Sequence, residues 1–185
     1  MNLKVVESLC RQLLVEIGED PNREGLVDTP KRWARWWQEF IEYDAGKTDV
    51  TFESVTGDQM VVVNGIKVFS LCEHHLLPFV ARVSIGYLAR DRVLGLSKFA
   101  RIAQKHAHKL QLQERLALNI FEDVQALVNH DDIAVYIRGE HMCMQMRGIR
   151  SEGVMTTSVL RGVFRNPAPR QEFLELALSG YNVSP

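Results

Sequence analysis

The apolar residues change their period along the chain, and the order of these changes restricts the fold more than any single motif does. The period is helical over residues 3–18 and again from Asp28, where Thr29 and Pro30 are typical of a first helical turn. From about residue 59 the period is that of strands, and two further helices and then further strands follow. Pairs of strands and helices in this order predict an α+β fold with an antiparallel sheet.

The apolar pattern also predicts where the strands and helices after about residue 59 begin and end. The Asn64-Gly65 pair separates two apolar runs, 60–63 and 66–71, and predicts a hairpin, because this dipeptide favours a two-residue turn. The other expected elements are a strand at 79–87, helices at about 97–109 and 112–129, strands at 133–137 and about 154–164, and a helix at 171–178.

The charge balance argues against nucleic acid or an anionic membrane as a partner. The net charge is −1 and the sequence pI is about 6.6, so any anion-binding site must arise from local clustering. No apolar run approaches the roughly 20 residues that cross a bilayer. Three cysteines, with no export signal at the start of the chain, predict reduced thiols and a cytoplasmic location.

Two features of the N-terminal helices carry expectations of their own. Cys10 falls within the apolar pattern of the first helix and is expected to be a small buried residue. Trp33, Trp36 and Trp37 are too many for one helix face, so we expect some of them to pack on another subunit.

Cysteines and histidines form two clusters that suit a metal ion. Cys72-Glu73-His74-His75 follows a predicted strand, and a helical turn there would bring Cys72 and His75 together while His74 points elsewhere. In the second cluster, alternate residues of a strand would lie on the same face. That face would carry His141, Cys143, Gln145 and Arg147.

Zinc is the metal that best matches these donors, because it favours thiolate and imidazole ligands. The sequence has no CxxC pair, so an open catalytic site is favoured over a closed structural one. Chance proximity of the Cys72 and His75 pair is an alternative, and so is burial of Cys143 in the core between two methionines.

A second constellation suits an anion. Ser97, Lys98 and Arg101 open a predicted helix whose first turn has no acidic residue, and free N–H groups beside two cations can bind phosphate. Arg147 and Arg32 could add positive charge. Two solvated basic residues on a surface helix are the alternative.

Glu114 opens the next predicted helix within the stretch 111–116. A carboxylate in a first turn is what the helix dipole favours, so capping is one interpretation. The other is a carboxylate that accepts two hydrogen bonds from the planar amidine edge of a base such as guanine.

Six stretches of the chain together resemble the GTP cyclohydrolase I family. They occur in the family's order and at similar spacing, over nearly the whole chain from about residue 6 to residue 178. The stretches are DTPKR (28–32), CEHHLLPF (72–79), GLSKFAR (95–101), QLQERL (111–116), EHMCMQMRG (140–148) and TTSVLRGVF (156–164).

The resemblance implies a T-fold, which is an antiparallel sheet with two helices packed on one face, here preceded by N-terminal helices. The chain would then consist of an N-terminal helical region, 1–45, and a T-fold catalytic domain, 46–185. The resemblance also implies a homo-oligomer in which sheets pair edge to edge, with two pentameric rings stacked as a decamer.

The resemblance further implies a role for each candidate residue. The zinc ligands would be Cys72, His75 and Cys143, and the acid–base histidines would be His74 and His141. Guanine would be anchored by Glu114, with Gln113 beside it. The triphosphate would be bound by Ser97, Lys98, Arg101 and Arg147, with Arg32 contributed by a neighbouring subunit.

The implied reaction is hydrolysis of the guanine imidazole ring of GTP, which releases formate and gives 7,8-dihydroneopterin triphosphate. Three other functions fit the sequence less well. A T-fold nitrile reductase acting on a deazaguanine base needs a cysteine nucleophile and no zinc trio. A zinc nucleobase deaminase needs H-x-E and P-C-x-x-C motifs, which are missing. A non-catalytic assembly module would have no use for the ligand and triphosphate residues.

Overall fold

The computed structural model describes residues 1–54, 57 and 59–179. The chain divides into two compact units, Met1–Asp44 and a larger one that begins at Ala45. Among the described residues, no helix combines the length and the apolar character that crossing a bilayer requires.

The first unit is a pair of helices, α1 (Leu3–Glu16) and α2 (Thr29–Ile41). The Asn2 side chain caps α1 by accepting a hydrogen bond from the Val5 N–H. Cys10 is buried, as its place in the apolar pattern predicts. Trp36 remains 41% exposed although it stacks on Phe40, and its contact with another subunit stays a prediction.

The second unit is built on a five-stranded sheet with the order β5-β2-β3-β6-β7. All neighbours in this sheet are antiparallel except the short β5, which pairs in parallel with β2. The strands are β1 (Thr51–Glu53), β2 (Gln59–Cys72), β3 (Pro78–Ala89), β4 (Arg92–Leu94), β5 (Leu110–Gln111), β6 (Ile133–His141) and β7 (Val154–Leu160), with β1 and β4 forming a separate pair.

The hairpin predicted at Asn64-Gly65 is wrong, because β2 continues through this pair as one long strand. Both halves of β2 pair with β3, and the register shifts between Val63 and Ile66. Three steps along β2 there match two steps along β3, which is the signature of a β-bulge. Gly65 has a φ of 68°, so the glycine that favours a turn here provides the left-handed residue of the bulge.

Two helices pack on one face of the sheet, as predicted: α3 (Leu96–Ala107) and α4 (Gln113–Val128). Their apolar faces and alternate strand residues form one continuous core. Its fully buried members include Ile102, Leu116, Ile120 and Val124 from the helices and Val83, Ile85, Val135 and Ile137 from the strands.

The end of the chain departs from the predicted bounds. Strand β7 ends at Leu160, short of the predicted 164, because Gly162 with a φ of 52° begins the 3-10 turn Gly162–Arg165. The last helix, α6 (Pro167–Ser179), starts earlier than predicted, since prolines are tolerated in a first turn. Helix α6 packs on the opposite face of the sheet, where Phe173 lies so close to Gly86 that a Cβ there would be 2.7 Å from its ring.

The strand register gathers the candidate chemistry at one end of the sheet. Strand β2 ends at Cys72, β3 begins at Pro78, and Phe79 of β3 lies opposite His141, the last residue of β6. Cys72 is also paired with Gln111 of β5, from which the chain passes directly into α4. The two Cys/His clusters and the start of α4 therefore meet at this end.

Candidate active site

Three possible metal ligands converge at this end of the sheet. The donor atoms of Cys72, His75 and Cys143 all lie within 4.8 Å of one another. Residues after Cys72 form a turn, in which the His75 and Leu76 N–H groups both donate to the Cys72 carbonyl. The turn brings Nδ1 of His75 to 3.8 Å from Sγ of Cys72. Leu76 closes the turn with a φ of 55°, which is uncommon for a residue other than glycine.

Cys143 reaches this cluster from a short helix. The predicted strand alternation over His141, Cys143, Gln145 and Arg147 is wrong, because β6 ends at His141 and α5 (Met142–Gln145) follows. The physical reason is the register: His141 pairs with Phe79 near the start of β3, so the ladder has almost no partner beyond it. The chain turns instead, and the Met146 N–H donates to the Met142 carbonyl.

The donor set and its spacing fit a tetrahedral zinc ion. Typical Zn–S and Zn–N bonds put a ligating sulfur and nitrogen about 3.6 Å apart in a tetrahedron, close to the 3.8 Å between Cys72 Sγ and His75 Nδ1. Burial raises the pKa of the Cys143 thiol, and the adjacent Cys72 raises it further. A divalent cation among the three would favour both thiolates, and three protein ligands leave a fourth position for solvent.

Arg147 lies against the outer nitrogen of the same imidazole. Its guanidinium is 2.6 Å from Nε2 of His75. A guanidinium only donates, so this contact requires a lone pair on Nε2 and the hydrogen on Nδ1. Desolvation lowers the pKa of His75, and the positive charge of Arg147 lowers it further.

His141 is a half-buried imidazole held on two sides. Its ring stacks on Phe79 with 4.6 Å between centroids and 11° between planes. Its Nε2 lies 3.0 Å from Oε1 of Gln113. Burial lowers the pKa of His141, and the Glu114 carboxylate acts in the opposite direction. Burial therefore favours the neutral ring, which lies within the electrostatic reach of Glu114.

Comparison of the sequence with known proteins identifies similar proteins over most of the chain. A sequence profile described as GTP cyclohydrolase I matches residues 6–178. A protein named GTP cyclohydrolase 1 from Methylococcus capsulatus is 46% identical over 180 residues, which cover 93% of this chain and 96% of the relative. The protein of the same name from Chromohalobacter salexigens is 47% identical over 174 residues, 90% of this chain and 94% of the relative.

This chain belongs to the GTP cyclohydrolase I family. The match spans the residues of both clusters, and the predictions of the family and of an enzyme of this type are confirmed. The predicted α+β class, with two helices packed on one face of an antiparallel sheet, is confirmed by the structure.

The other predicted site residues differ in their exposure and in the part of the chain to which they belong. Glu114 is exposed in the first turn of α4, whereas Gln113 is buried beneath it. His74 is exposed beside His75, with 6.1 Å between ring centroids. Arg32 belongs to the first unit, where it pairs with Asp28 at 3.3 Å.

The predicted triphosphate residues of α3 contact the segment 45–47. Lys98 is buried and donates from Nζ to the Lys47 carbonyl at 2.8 Å. Arg101 donates to the Ala45 carbonyl at 2.5 Å, and Ser97 is exposed at the start of the helix. Lys98 and Arg101 therefore hold this segment on the N-terminal end of α3.

One ion pair at the site was missed by the sequence reasoning. Glu73, within the turn that carries Cys72 and His75, pairs with Arg115 of α4 at 2.6 Å, and the Glu73 N–H donates to the Gln111 carbonyl. The pair ties the turn that carries His74 and His75 to the helix that carries Glu114. Both charges stand inside motifs of the family, but only the fold shows that they meet.

Proposed function

We propose that this chain hydrolyses the imidazole ring of guanine in GTP with the help of a bound zinc ion, releasing formate and giving 7,8-dihydroneopterin triphosphate. The observation that carries the proposal is the convergence of Cys72, His75 and Cys143 at one end of the sheet, where His141 also lies. The family supports the substrate, and the donor set supports the metal.

The metal would be held by two thiolates and Nδ1 of His75. When bound, zinc would supply a hydroxide equivalent near neutral pH, because it lowers the pKa of water toward 7. An imidazole that binds metal through Nδ1 carries its hydrogen on Nε2 and cannot accept from Arg147. With Nδ1 occupied, Arg147 would have no acceptor on His75, and its guanidinium would be available to the substrate.

The base would be anchored by Glu114, whose exposed carboxylate can accept two hydrogen bonds from the guanine edge. C8 of guanine is a poor electrophile until N7 is protonated, and an imidazole that titrates near neutrality can deliver this proton. His141 and His74 would be the two imidazoles that transfer protons. Addition of water at C8 and cleavage of one C8–N bond would open the ring to a formamide. A second water would hydrolyse the remaining C8–N bond and release formate, and after rearrangement of the ribose a new ring would close with loss of water.

The triphosphate would be bound by cations from more than one part of the chain. Lys98 has three donor hydrogens, so it can keep the Lys47 carbonyl and add a phosphate oxygen. Arg101 and Ser97 lie one turn or less from it, and Arg147 would approach once released. Arg32 is in an exposed pair with Asp28, and such pairs contribute little, so phosphate can displace the carboxylate.

The same proposal includes a homodecamer of two pentameric rings. Strand β7 is an edge of the five-stranded sheet, and an edge strand presents backbone groups that a strand of another copy can bind. A ring of copies would place Arg32 of one subunit within reach of the site of the next. We also expect the enzyme to be cytoplasmic, because its zinc site needs reduced thiols.

The test is turnover of GTP by purified, zinc-loaded protein, followed by formate release and by the absorbance of the pterin product. Cys143→Ala should lose zinc and ring opening but keep the native mass of the assembled protein. Cys10→Ala is the matched control, because Cys10 is a buried thiol outside the site. A Cys143→Ala protein that retains both zinc and rate would refute the three-ligand scheme.

A further inference from the structure

The side-chain amide of Gln113 has only one possible orientation. One of its terminal atoms lies 3.3 Å from the Ile137 carbonyl, 3.1 Å from the Met155 carbonyl and 3.1 Å from the Thr157 hydroxyl. Carbonyl oxygens only accept, so this atom is the NH2 group. The other terminal atom, which faces His141, must therefore be the oxygen.

This orientation determines which nitrogen of His141 carries hydrogen. Oε1 of Gln113 accepts, so Nε2 of His141, at 3.0 Å, must be the donor. In the neutral ring the hydrogen then sits on Nε2, and Nδ1 has the free lone pair. Stacking on Phe79 prevents the ring from tilting away from this contact.

The surrounding backbone is shaped to admit the amide. Gly139 of β6 lies between Ala81 of β3 and Met155 of β7, and a Cβ at Gly139 would overlap Oε1 of Gln113. Only glycine leaves that space, so the oxygen is held in place by packing as well as by hydrogen bonds. Gln113 is 1% exposed, which leaves its amide no surface with which to bind guanine directly.

We propose that Gln113 is a positioning residue, seated against Gly139, that fixes His141 with hydrogen on Nε2 and so makes Nδ1 the atom that exchanges a proton with the substrate. The inference rests on the proposed acid–base role of His141 and assigns that role to one nitrogen. It also replaces the expectation that Gln113 contacts guanine beside Glu114.

The tautomer can be measured without turnover. The full-length, zinc-loaded protein is labelled with 15N-histidine and studied without GTP by solid-state NMR at about pH 8, above the ordinary imidazole pKa of about 6.5. The His141 signals are assigned by their loss in His141→Ala. We expect protonated Nε2 and unprotonated Nδ1, and the opposite tautomer would overturn the proposal.

Two variants test the role of the amide. Gln113→Met keeps the length of the side chain but removes the acceptor oxygen. Gly139→Ala keeps that oxygen and only displaces it. Either variant tests the role of the amide, provided that the variant protein folds. Gln111→Met is the matched control, because Gln111 is also 1% exposed but bonds to His106 and Asn119 instead. We expect a mixture of His141 tautomers in the first two and an unchanged ring in the control.

Kinetics separate this proposal from the proposed function. If His141 exchanges the proton through Nδ1, Gln113→Met should lower kcat at least tenfold and change KM for GTP by less than about threefold, as expected for an interaction made in the transition state. An unchanged tautomer in every one of the two variants that folds would refute the positioning role. A mixed tautomer with unchanged kcat would support that role and refute the acid–base role of His141.

Discussion

Replacing Lys98 with methionine should separate the binding of the triphosphate from the binding of the base. Methionine keeps the buried stem of Lys98 but removes the ammonium group, which donates to the Lys47 carbonyl at 2.8 Å. In the proposed complex the same group also contacts a phosphate oxygen. The variant therefore loses one bond in the free protein and a second, charge-assisted bond in the GTP complex.

The size of each loss follows from the kind of bond. A hydrogen bond that involves a charged group contributes about 1.5–3 kcal/mol. The missing phosphate contact should therefore weaken GTP binding roughly 10- to 150-fold. Guanosine has no phosphate, so its affinity should change less than about threefold. The lost contact with Lys47 should lower the melting temperature by roughly 3–12 °C.

Calorimetric titration with GTP and with guanosine, at a temperature where the variant is folded, measures the two affinities. Lys105→Met is the matched control, because Lys105 lies on the same helix but pairs with Asp123. Equal losses for GTP and guanosine in Lys98→Met would refute the phosphate contact and leave Lys98 a purely structural role. A control that loses GTP affinity as strongly would show that net charge is responsible.

The remaining predictions concern the base contact and the pH dependence of stability. Glu114→Gln should raise KM for GTP more than tenfold with zinc content unchanged, because a neutral amide cannot accept both hydrogen bonds; an unaltered KM in steady-state assays would refute the anchor. Burial lowers the pKa of His106, whose Nε2 lies 2.9 Å from Asp123 while its Nδ1 has no partner among the described residues. The unfolded chain therefore binds more protons, and the free energy of unfolding should fall as the pH drops through about 6.5. Thermal melts of His106→Gln should show a flatter slope between pH 7 and pH 5, and a slope equal to that of the parent protein would contradict this.

The helices and the order of the elements could be predicted because their signals are local. The apolar periods of α3 and α4 come from residues that are close in the sequence, and both helices begin and end within a few residues of the expected positions. The contact between Cys72 and His75 could also be predicted from the sequence, because it depends on a turn of only four residues.

Errors arose where a distant partner decides the local structure. Asn64-Gly65 favours a hairpin in isolation, but β3 is long enough to pair with both halves of β2, so the pair forms a bulge instead. The residues after His141 alternate like a strand, but β3 has scarcely begun opposite them, so Cys143 lies on a helix. Neither partner can be inferred from the short window that contains the motif.

The position of Gln113 shows a third limit. The side chain was expected next to Glu114 at the base because the two are adjacent in sequence. Adjacent residues in a first helical turn point in different directions, and Gln113 faces the carbonyls of β6 and β7. The glycine that admits it stands 26 positions later in the chain, at Gly139, and its significance appears only in three dimensions.

X-ray absorption spectroscopy at the zinc edge tests the proposed centre most directly. On purified protein with one zinc per chain, we expect two sulfur ligands at about 2.3 Å and two nitrogen or oxygen ligands at about 2.0–2.1 Å, one of them from solvent. Cys143→Ala, prepared in the same way, should retain no zinc and therefore serves as the negative control. A shell of four sulfurs, or a shell with none, would contradict an open site formed by Cys72, His75 and Cys143.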